Sequence, residues 1–259
     1  NKINNKKWKK VFMNIGKVKS QKEFAKTIKS NFPFVKELRI MNVAIKELSK
    51  DCTLALEHLE SLIFSDVSLD VFEVFIIVHP CLKSLSLRFI TKDIGHPSTT
   101  GAQIEKFLQL NKGVQNLELY EDVVNEVFRI DITQSLKLTL KSLAINLSET
   151  KDDVKANLEV FLKAQGASLQ DLRMSLHQKH DREDFDFGYW RHDERDGMKE
   201  STDLLILINS WNALKALEKL TLRFFKDSDV LEIERKVLSN LQPNSSLKEI
   251  KIQHINCEL

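Results

Sequence analysis

The feature that most constrains the fold is a short apolar pattern that returns eight times along the chain. Each copy has a large apolar residue, two variable residues, a second apolar residue, one variable residue and a third apolar residue, as in Leu82-Lys83-Ser84-Leu85-Ser86-Leu87. Successive starts are separated by 24, 23, 32, 26, 29, 48 and 30 residues, at Val35, Leu59, Leu82, Val114, Leu140, Leu169, Leu217 and Leu247. Repetition at such spacing is typical of an array of small structural units.

The end of each copy predicts a short β-strand, because its two-residue period places the apolar side chains on one side and the variable ones on the other. No single strand can bury its apolar side alone, so stacked copies must supply the core to one another. Parallel strands need crossover connections. Apolar residues at helical spacing predict helices over 69–78, 102–110, 153–164 and 230–241, the first stopping at His79-Pro80.

In this pattern, residues 31–259 resemble the leucine-rich-repeat family, in its variety with longer, helix-containing repeats. The resemblance implies an α/β solenoid, or horseshoe, of about eight repeats with a concave parallel sheet and outer helices. It also implies a protein-binding module rather than an enzyme. The Asn that often follows the strand in this family is present as Asn42, and most other copies lack an Asn or Cys there.

The variable residues of each strand are expected to line the concave face, which makes them the candidate partner-binding residues. Apolar candidates lie in the N-terminal half, and arginines are spread along the arc, with arginine and tyrosine being common binding anchors. The candidates on this face are Arg39, Met41, Ile63, Arg88, Glu118, Tyr120, Asn146, Arg173 and Arg223. The competing interpretation is that they are ordinary solvated strand positions.

Residues 1–30 form a basic segment with ten lysines and one acid, Glu23, and we expect them to cap the first repeat. Ser20-Gln21-Lys22-Glu23 is a capping-box pattern that predicts a helix from Ser20 to about Ile28. The lysines suggest an alternative function, which is binding of nucleic acid or another anionic surface. Aromatic residues suited to base stacking are sparse there, so the sequence favours a solvated cap and a protein partner over nucleic acid.

The triplet Lys6-Lys7-Trp8 resembles the tail of an F-box, whose last helix commonly ends in basic residues followed by tryptophan. An F-box followed directly by leucine-rich repeats is a familiar arrangement. The resemblance implies the substrate-recognition part of a ubiquitin-ligase subunit, with a segment upstream of Asn1 docking to the ligase adaptor. Most of the F-box is then expected to precede the first residue.

The longest interval between copies contains an insertion at 177–202, which is expected to emerge as a loop at one rim of the solenoid. Three interpretations compete. A metal site could use His177, His180 and His192. A partner-binding loop could use aromatic anchors, namely Phe185, Phe187, Tyr189 and Trp190. The third interpretation is a polar insertion whose aromatic side chains pack back onto the repeats.

Composition restricts the remaining function classes. A formal net charge of +2 does not mark the whole chain as a nucleic-acid or membrane binder. Three widely separated cysteines argue against a disulfide framework and for a reducing compartment, so we expect a cytoplasmic or nuclear protein. No phosphate-binding glycine loop and no nucleophile elbow occurs, and we expect neither enzymatic activity nor a cofactor. No apolar run reaches the roughly 20 residues of a membrane span.

Overall fold

The structure is a computed structural model that describes most of the repeats. The described residues are 8–47, 52–91, 99–120, 122–128, 138–147, 152–176, 202–225 and 244–255, with the single residues 235, 239 and 241. All structural statements below concern these residues.

Within the described ranges, nine strands form one sheet in chain order, and every neighbouring pair is parallel. The strands are β1 (Lys10–Ser20), β2 (Glu37–Glu47), β3 (Ser61–Ser68), β4 (Ser84–Thr91), β5 (Asn116–Leu119), β6 (Ser142–Asn146), β7 (Asp171–Leu176), β8 (Lys219–Phe225) and β9 (Glu249–Ile255). The predicted α/β class with a parallel sheet is confirmed, and β2 to β9 correspond to the eight copies of the pattern.

The first strand, β1, is the one that the pattern search missed. Lys10 pairs with Glu37, so Trp8 occupies the position that Val35 holds in the next copy. Val35 is fully buried, whereas Trp8 is 52% exposed. Because the expected buried aliphatic residue is replaced by an exposed tryptophan, the copy was not recognised. The basic segment 1–30 therefore contributes a strand to the sheet as well as the predicted helix.

Helices lie in the connections between strands. They are α1 (Gln21–Asn31), α2 (Leu69–Glu73), α3 (Thr99–Leu110), α4 (Asp122–Phe128), α5 (Asp152–Ala164) and α6 (Thr202–Ser210), which continues into a 3-10 turn at Trp211–Ala213. The helices predicted over 102–110 and 153–164 are confirmed as α3 and α5. The Ser20 side chain accepts a hydrogen bond from the Glu23 backbone N–H, which confirms the predicted N-cap. Most of 230–241 lies outside the described residues.

The helix predicted over 69–78 is wrong in its length, because α2 ends at Glu73. The Val74 carbonyl accepts a hydrogen bond from Leu54 N–H at 2.7 Å, and Phe75 N–H donates back to the Phe72 carbonyl. The Val74 carbonyl is thus used by another part of the chain, which ends the helical ladder. His79, where the helix was predicted to stop, is a buried core residue with 2% exposure.

The same pair of backbone hydrogen bonds joins each copy to the next. The Lys36 carbonyl accepts from the N–H groups of Glu60 and Ser61, at 2.7 and 2.9 Å. We call this arrangement, in which one carbonyl accepts two N–H groups of the next copy, a joint. Equivalent joints are made by the carbonyls of Lys9, Glu60, Lys83, Gln115, Lys141, Gln170 and Glu218. The joint from Gln170 to Glu218 and Lys219 is unchanged although the insertion 177–202 lies between these residues. The register is therefore kept from β1 to β9.

The core lies between the sheet and the helices. Apolar strand residues such as Leu62, Phe64 and Val67 are fully buried and belong to one continuous cluster with helix residues such as Phe72 and Phe107. The Phe64 and Phe72 rings meet edge to face, with centroids 5.3 Å apart. Alternation along each strand thus assigns one side of the sheet to the core and leaves the other side for the variable residues.

Buried polar side chains also tie neighbouring copies together. The Asn111 side chain accepts from His79 N–H at 2.7 Å and donates to the Ile77 and Phe107 carbonyls at 2.9 Å. The Gln165 side chain accepts from Leu140 N–H in the same manner. Such side chains satisfy backbone groups that have no partner in a helix or in the sheet.

His79 is expected to make stability depend on pH. Its Nδ1 accepts from Leu56 N–H at 3.4 Å and its Nε2 lies 3.1 Å from the Phe75 carbonyl, so the neutral Nε2-protonated ring fits the site. Burial lowers the pKa of His79 below its usual value and outweighs the hydrogen bond to the Phe75 carbonyl, which favours the charged ring. Below a pH of about 6.5 the unfolded chain binds a proton that the folded chain does not, so the free energy of unfolding falls with decreasing pH.

Urea unfolding at several pH values tests this expectation with His79→Gln as the comparison. The wild type should lose stability below neutral pH faster than the variant, by at most about 1.4 kcal/mol per pH unit for a single proton. Identical pH dependence in the two proteins would contradict the assignment.

Candidate functional site: the open face of the sheet

The variable strand residues form three rows across the sheet, which we call the open face. The first row is Lys10, Glu37, Ser61, Ser84, Asn116, Ser142, Asp171, Lys219 and Glu249. The second row is Phe12, Arg39, Ile63, Ser86, Glu118, Ala144, Arg173, Thr221 and Lys251. The third row is Asn14, Met41, Ser65, Arg88, Tyr120, Asn146, Ser175, Arg223 and Gln253, with Tyr120 joined to β4 through its N–H bond to the Leu87 carbonyl.

A central cluster on this face is organised around the Glu118 carboxylate. Glu118 accepts hydrogen bonds from the Ser86 hydroxyl at 2.6 Å, the Tyr120 hydroxyl at 2.7 Å and Nη2 of Arg88 at 3.2 Å. The Arg88 guanidinium also lies 4.4 Å from the centroid of the Tyr120 ring. These contacts fix the rotamers of an arginine and a tyrosine before any partner arrives, which reduces the entropy that binding would cost.

The electrostatics of the cluster follow from these contacts. Burial acts to raise the pKa of Glu118, but the hydrogen bonds from Ser86 and Tyr120 and the Arg88 charge hold that pKa below its usual range. Burial and the hydrogen bond to Glu118 raise the pKa of Tyr120 to about 12. At neutral pH the cluster therefore consists of a carboxylate, a guanidinium and a neutral phenol.

The raised Tyr120 pKa gives a spectroscopic prediction. The chain has two tyrosines, Tyr120 and Tyr189, so Tyr189→Phe isolates the Tyr120 signal. In that background Glu118→Gln should lower the Tyr120 pKa toward the usual value of about 10, because the carboxylate that opposes ionisation is lost. Ultraviolet absorbance at a pH of about 11 should then show more tyrosinate in the variant.

The matched control is Glu23→Gln, which removes an exposed carboxylate on α1. It should leave the tyrosinate signal as it is, with far-ultraviolet circular dichroism confirming that all proteins remain folded. An equal signal with and without Glu118 would show that Glu118 does not contact Tyr120.

Two further arginines of the open face lie beyond the cluster. Nη2 of Arg173 contacts the Asp171 carboxylate at 2.6 Å, and Nε of Arg223 donates to Oε1 of Gln253 at 3.0 Å. The charge of Arg223 also acts on Tyr120. Asn146 is 8% exposed, so of the predicted candidates it is the least accessible to a partner.

The N-terminal part of the open face is apolar. The Arg39 guanidinium lies 5.5 Å from the centroid of the Phe12 ring, and Phe12 is 60% exposed. Ile63 lies beside Arg39 in the second row and Met41 lies in the third row, both half-buried. Sequence reasoning missed Phe12 because its strand was not recognised. Aliphatic or Met residues at every second position, Val11, Met13 and Ile15, were the signal that could have found this strand.

Several predicted residues lie outside the described residues. They are the insertion aromatics Phe185, Phe187, Tyr189 and Trp190, the histidines His177, His180 and His192, and the basic pair Lys6 and Lys7. The described residues contain no group of three or more potential metal ligands. None of the helices in the described ranges combines the length and apolar character needed to cross a bilayer.

The arrangement on the open face is suited to recognition. Arginines held by ion pairs and stacking alternate with hydroxyl and apolar groups across a continuous row of strands. Charged and aromatic groups of this kind, fixed on a rigid sheet, are common centres of binding energy in protein interfaces.

Comparison with known proteins adds no relative. No protein-family profile matches the sequence, and no curated protein matches it either.

Proposed function

We propose that the chain is a leucine-rich-repeat solenoid that serves as a protein-interaction module, with the open face of its sheet as the binding surface. The observation that carries this proposal is the central cluster of Arg88, Glu118 and Tyr120, whose side chains are fixed on a surface built by repetition. A preorganised cluster of this kind needs little further side-chain ordering when a partner binds, and arginine and tyrosine are the residue types that most often supply binding energy.

The solenoid part of the proposal is supported by the uniform joint between copies. Eight carbonyls each accept two N–H groups from the following copy, and the strands keep chain order throughout. Stacked units with nearest-neighbour contacts are the defining property of repeat architectures. Asn42, the family's expected residue after the strand, lies instead within β2, where it is exposed, has a φ of 50° and donates to the Asn14 side chain.

The test compares affinity capture from cell lysate by the wild type and by a variant carrying Arg88→Ala, Tyr120→Ala and Arg173→Ala. The matched control carries Lys26→Ala, Lys112→Ala and Val160→Ala, three exposed positions that lie outside the open face. Quantitative mass spectrometry should find partners recovered by the wild type and the control and reduced at least about tenfold with the open-face variant. Equal recovery by all three proteins would reject the open face as the binding surface.

A more specific form of the proposal is that the module recruits substrates to a ubiquitin ligase. It rests on Lys6-Lys7-Trp8, and Trp8 would then stand at the junction between an F-box helix and β1. The longest natural version of the chain should co-purify with the ligase adaptor. Co-purification that fails with that version, or an upstream sequence without an F-box, would overturn this form and leave the interaction module intact.

The alternative function is binding of nucleic acid or another anionic surface. The observation in its favour is the charge of the basic segment 1–30. In the described part of that segment, seven lysines are exposed, namely Lys9, Lys10, Lys17, Lys19, Lys22, Lys26 and Lys29. Binding of a labelled oligonucleotide that weakens steeply with salt, and that is lost on Lys17→Ala, Lys19→Ala and Lys22→Ala, would favour this alternative.

A further inference from the structure

We infer that the segment recognised by the open face is an acidic peptide that also carries an apolar side chain. This inference rests on the proposed protein-binding function and specifies the chemistry of the partner. It is drawn from the charge balance of the three rows, from which arginines already have ion-pair or hydrogen-bond partners, and from the position of the exposed apolar groups.

Positive charge is concentrated in the second and third rows of the open face, whereas the first row holds three carboxylates and two lysines. The second and third rows hold five cations, namely Arg39, Arg88, Arg173, Arg223 and Lys251, and one carboxylate, Glu118. The carboxylates of the first row are already paired. Glu37 contacts Lys10 at 2.8 Å, Asp171 contacts Arg173, and Glu249 contacts Lys251 at 2.7 Å.

Glu118 cannot serve as a binding group for a cationic partner. Its two oxygens accept three hydrogen bonds from Ser86, Tyr120 and Arg88, so it acts as the internal support of the cluster. A basic peptide would therefore meet net positive charge in these rows, and their single carboxylate already accepts three hydrogen bonds. An acidic peptide would find guanidinium groups already oriented.

Three of the arginines keep donors for a partner. Among the described residues, Arg39 and Arg223 form no ion pair, and Arg88, whose Nη2 bonds to Glu118, keeps a side chain that is 34% exposed. The Nε atoms of Arg39 and Arg88 are buried, so a partner would contact the terminal nitrogens of these guanidinium groups. A guanidinium has five N–H donors in a fork that matches a carboxylate. Aspartate or glutamate side chains are thus the groups that these positions recognise best.

The apolar part of the peptide is expected to contact Phe12, Ile63 and Met41. Phe12 in β1 and Arg88 in β4 are three strands apart, which corresponds to about 14 Å at the usual strand spacing. An extended peptide covers that distance with about four residues. The inferred recognition element therefore has an apolar side chain and an acidic one separated by a few residues.

Nucleic acid fits this face less well than an acidic peptide. Base stacking needs free aromatic ring faces. The Arg88 guanidinium lies over the Tyr120 ring, and the Arg39 guanidinium lies over the Phe12 ring. Two of the cations that could follow a phosphate backbone, Arg39 and Arg88, lie against these rings instead.

The test is selection from a phage-displayed library of random dodecapeptides, with the full chain as bait. The wild type should enrich peptides with aspartate or glutamate and an apolar residue a few positions away. A synthetic copy of the best peptide should bind at least about tenfold more weakly to Arg88→Gln combined with Arg223→Gln, as loss of charged hydrogen bonds predicts. Lys26→Ala combined with Lys112→Ala should change its affinity by less than about twofold.

Selected peptides without acidic residues, no enrichment at all, or binding that is unchanged by the two arginine substitutions would overturn the inference. Displacement of the peptide by an oligonucleotide through the same arginines would assign the face to nucleic acid and overturn it as well. Failure here is distinguishable from failure of the proposed function. If no linear acidic peptide binds, but the open-face variant still recovers fewer partners from lysate than the wild type, the inference fails and the proposed function stands.

Discussion

Replacement of Gly166 with alanine is expected to destabilise the fold by about 3 kcal/mol, the upper end of the usual cost of overpacking. Gly166 follows α5, and a Cβ atom there would lie 2.0 Å from the Ala213 carbonyl oxygen and 2.7 Å from its carbon. The Gly166 carbonyl also accepts from Ala216 N–H at 3.1 Å. Because both sides of this contact are backbone, a new methyl group must force two copies apart.

Gly113→Ala is the matched comparison for this prediction. A Cβ at Gly113 would lie 3.2 Å from the Leu82 carbonyl oxygen, a contact that a small shift relieves. We therefore expect a cost of below about 1 kcal/mol there, measured by urea unfolding with circular dichroism. Similar losses for Gly113→Ala and Gly166→Ala would show that the close approach of Gly166 and Ala213 is not present in solution.

Replacement of Phe72 with alanine is expected to cost about 3–5 kcal/mol, as large core truncations do. Phe72 is fully buried and packs on Phe64 and on Phe107, whose ring centroid lies 5.4 Å away. These three side chains come from a strand and two helices of successive copies. The cavity would therefore weaken the contact between copies as well as the packing within one.

The comparison for Phe72 is Phe34→Ala, which removes the same ring from a site that is 46% exposed. Phe34 contacts the His58 ring and leaves no cavity when truncated, so we expect a cost of below about 1 kcal/mol. Equal unfolding midpoints for the two variants would contradict the assignment of Phe72 to the core.

The strands and their register could be predicted in detail because they follow from a pattern of neighbouring residues in the sequence. A two-residue alternation next to an aliphatic anchor decides which side chains are buried, and the register of Arg39, Ile63 and Glu118 follows from it. The same rule failed at β1, where Trp8 stands in the anchor position. Helical spacing, in turn, did not give the length of α2. The Val74 carbonyl accepts a hydrogen bond from Leu54 N–H, and a partner so distant in sequence leaves no mark in the periodicity.

The candidate site was only partly predictable. The sequence places Arg88, Glu118 and Tyr120 on one face, but it does not show that all three meet. The hydrogen bond between Arg88 and Glu118 joins residues separated by 30 positions. Whether such side chains touch depends on the exact stacking of two copies, which the spacing between repeats does not determine.

Hydroxyl-radical footprinting of the chain with and without a captured partner tests most directly the claim that the open face is the binding surface. The account predicts that oxidation of Phe12, Met41 and Tyr120 decreases when the partner is bound, while oxidation of Phe34 and Val160, which lie outside the three rows, does not change. Protection of Phe34 and Val160 with unchanged oxidation of Met41 and Tyr120 would contradict the account and place the partner on another surface.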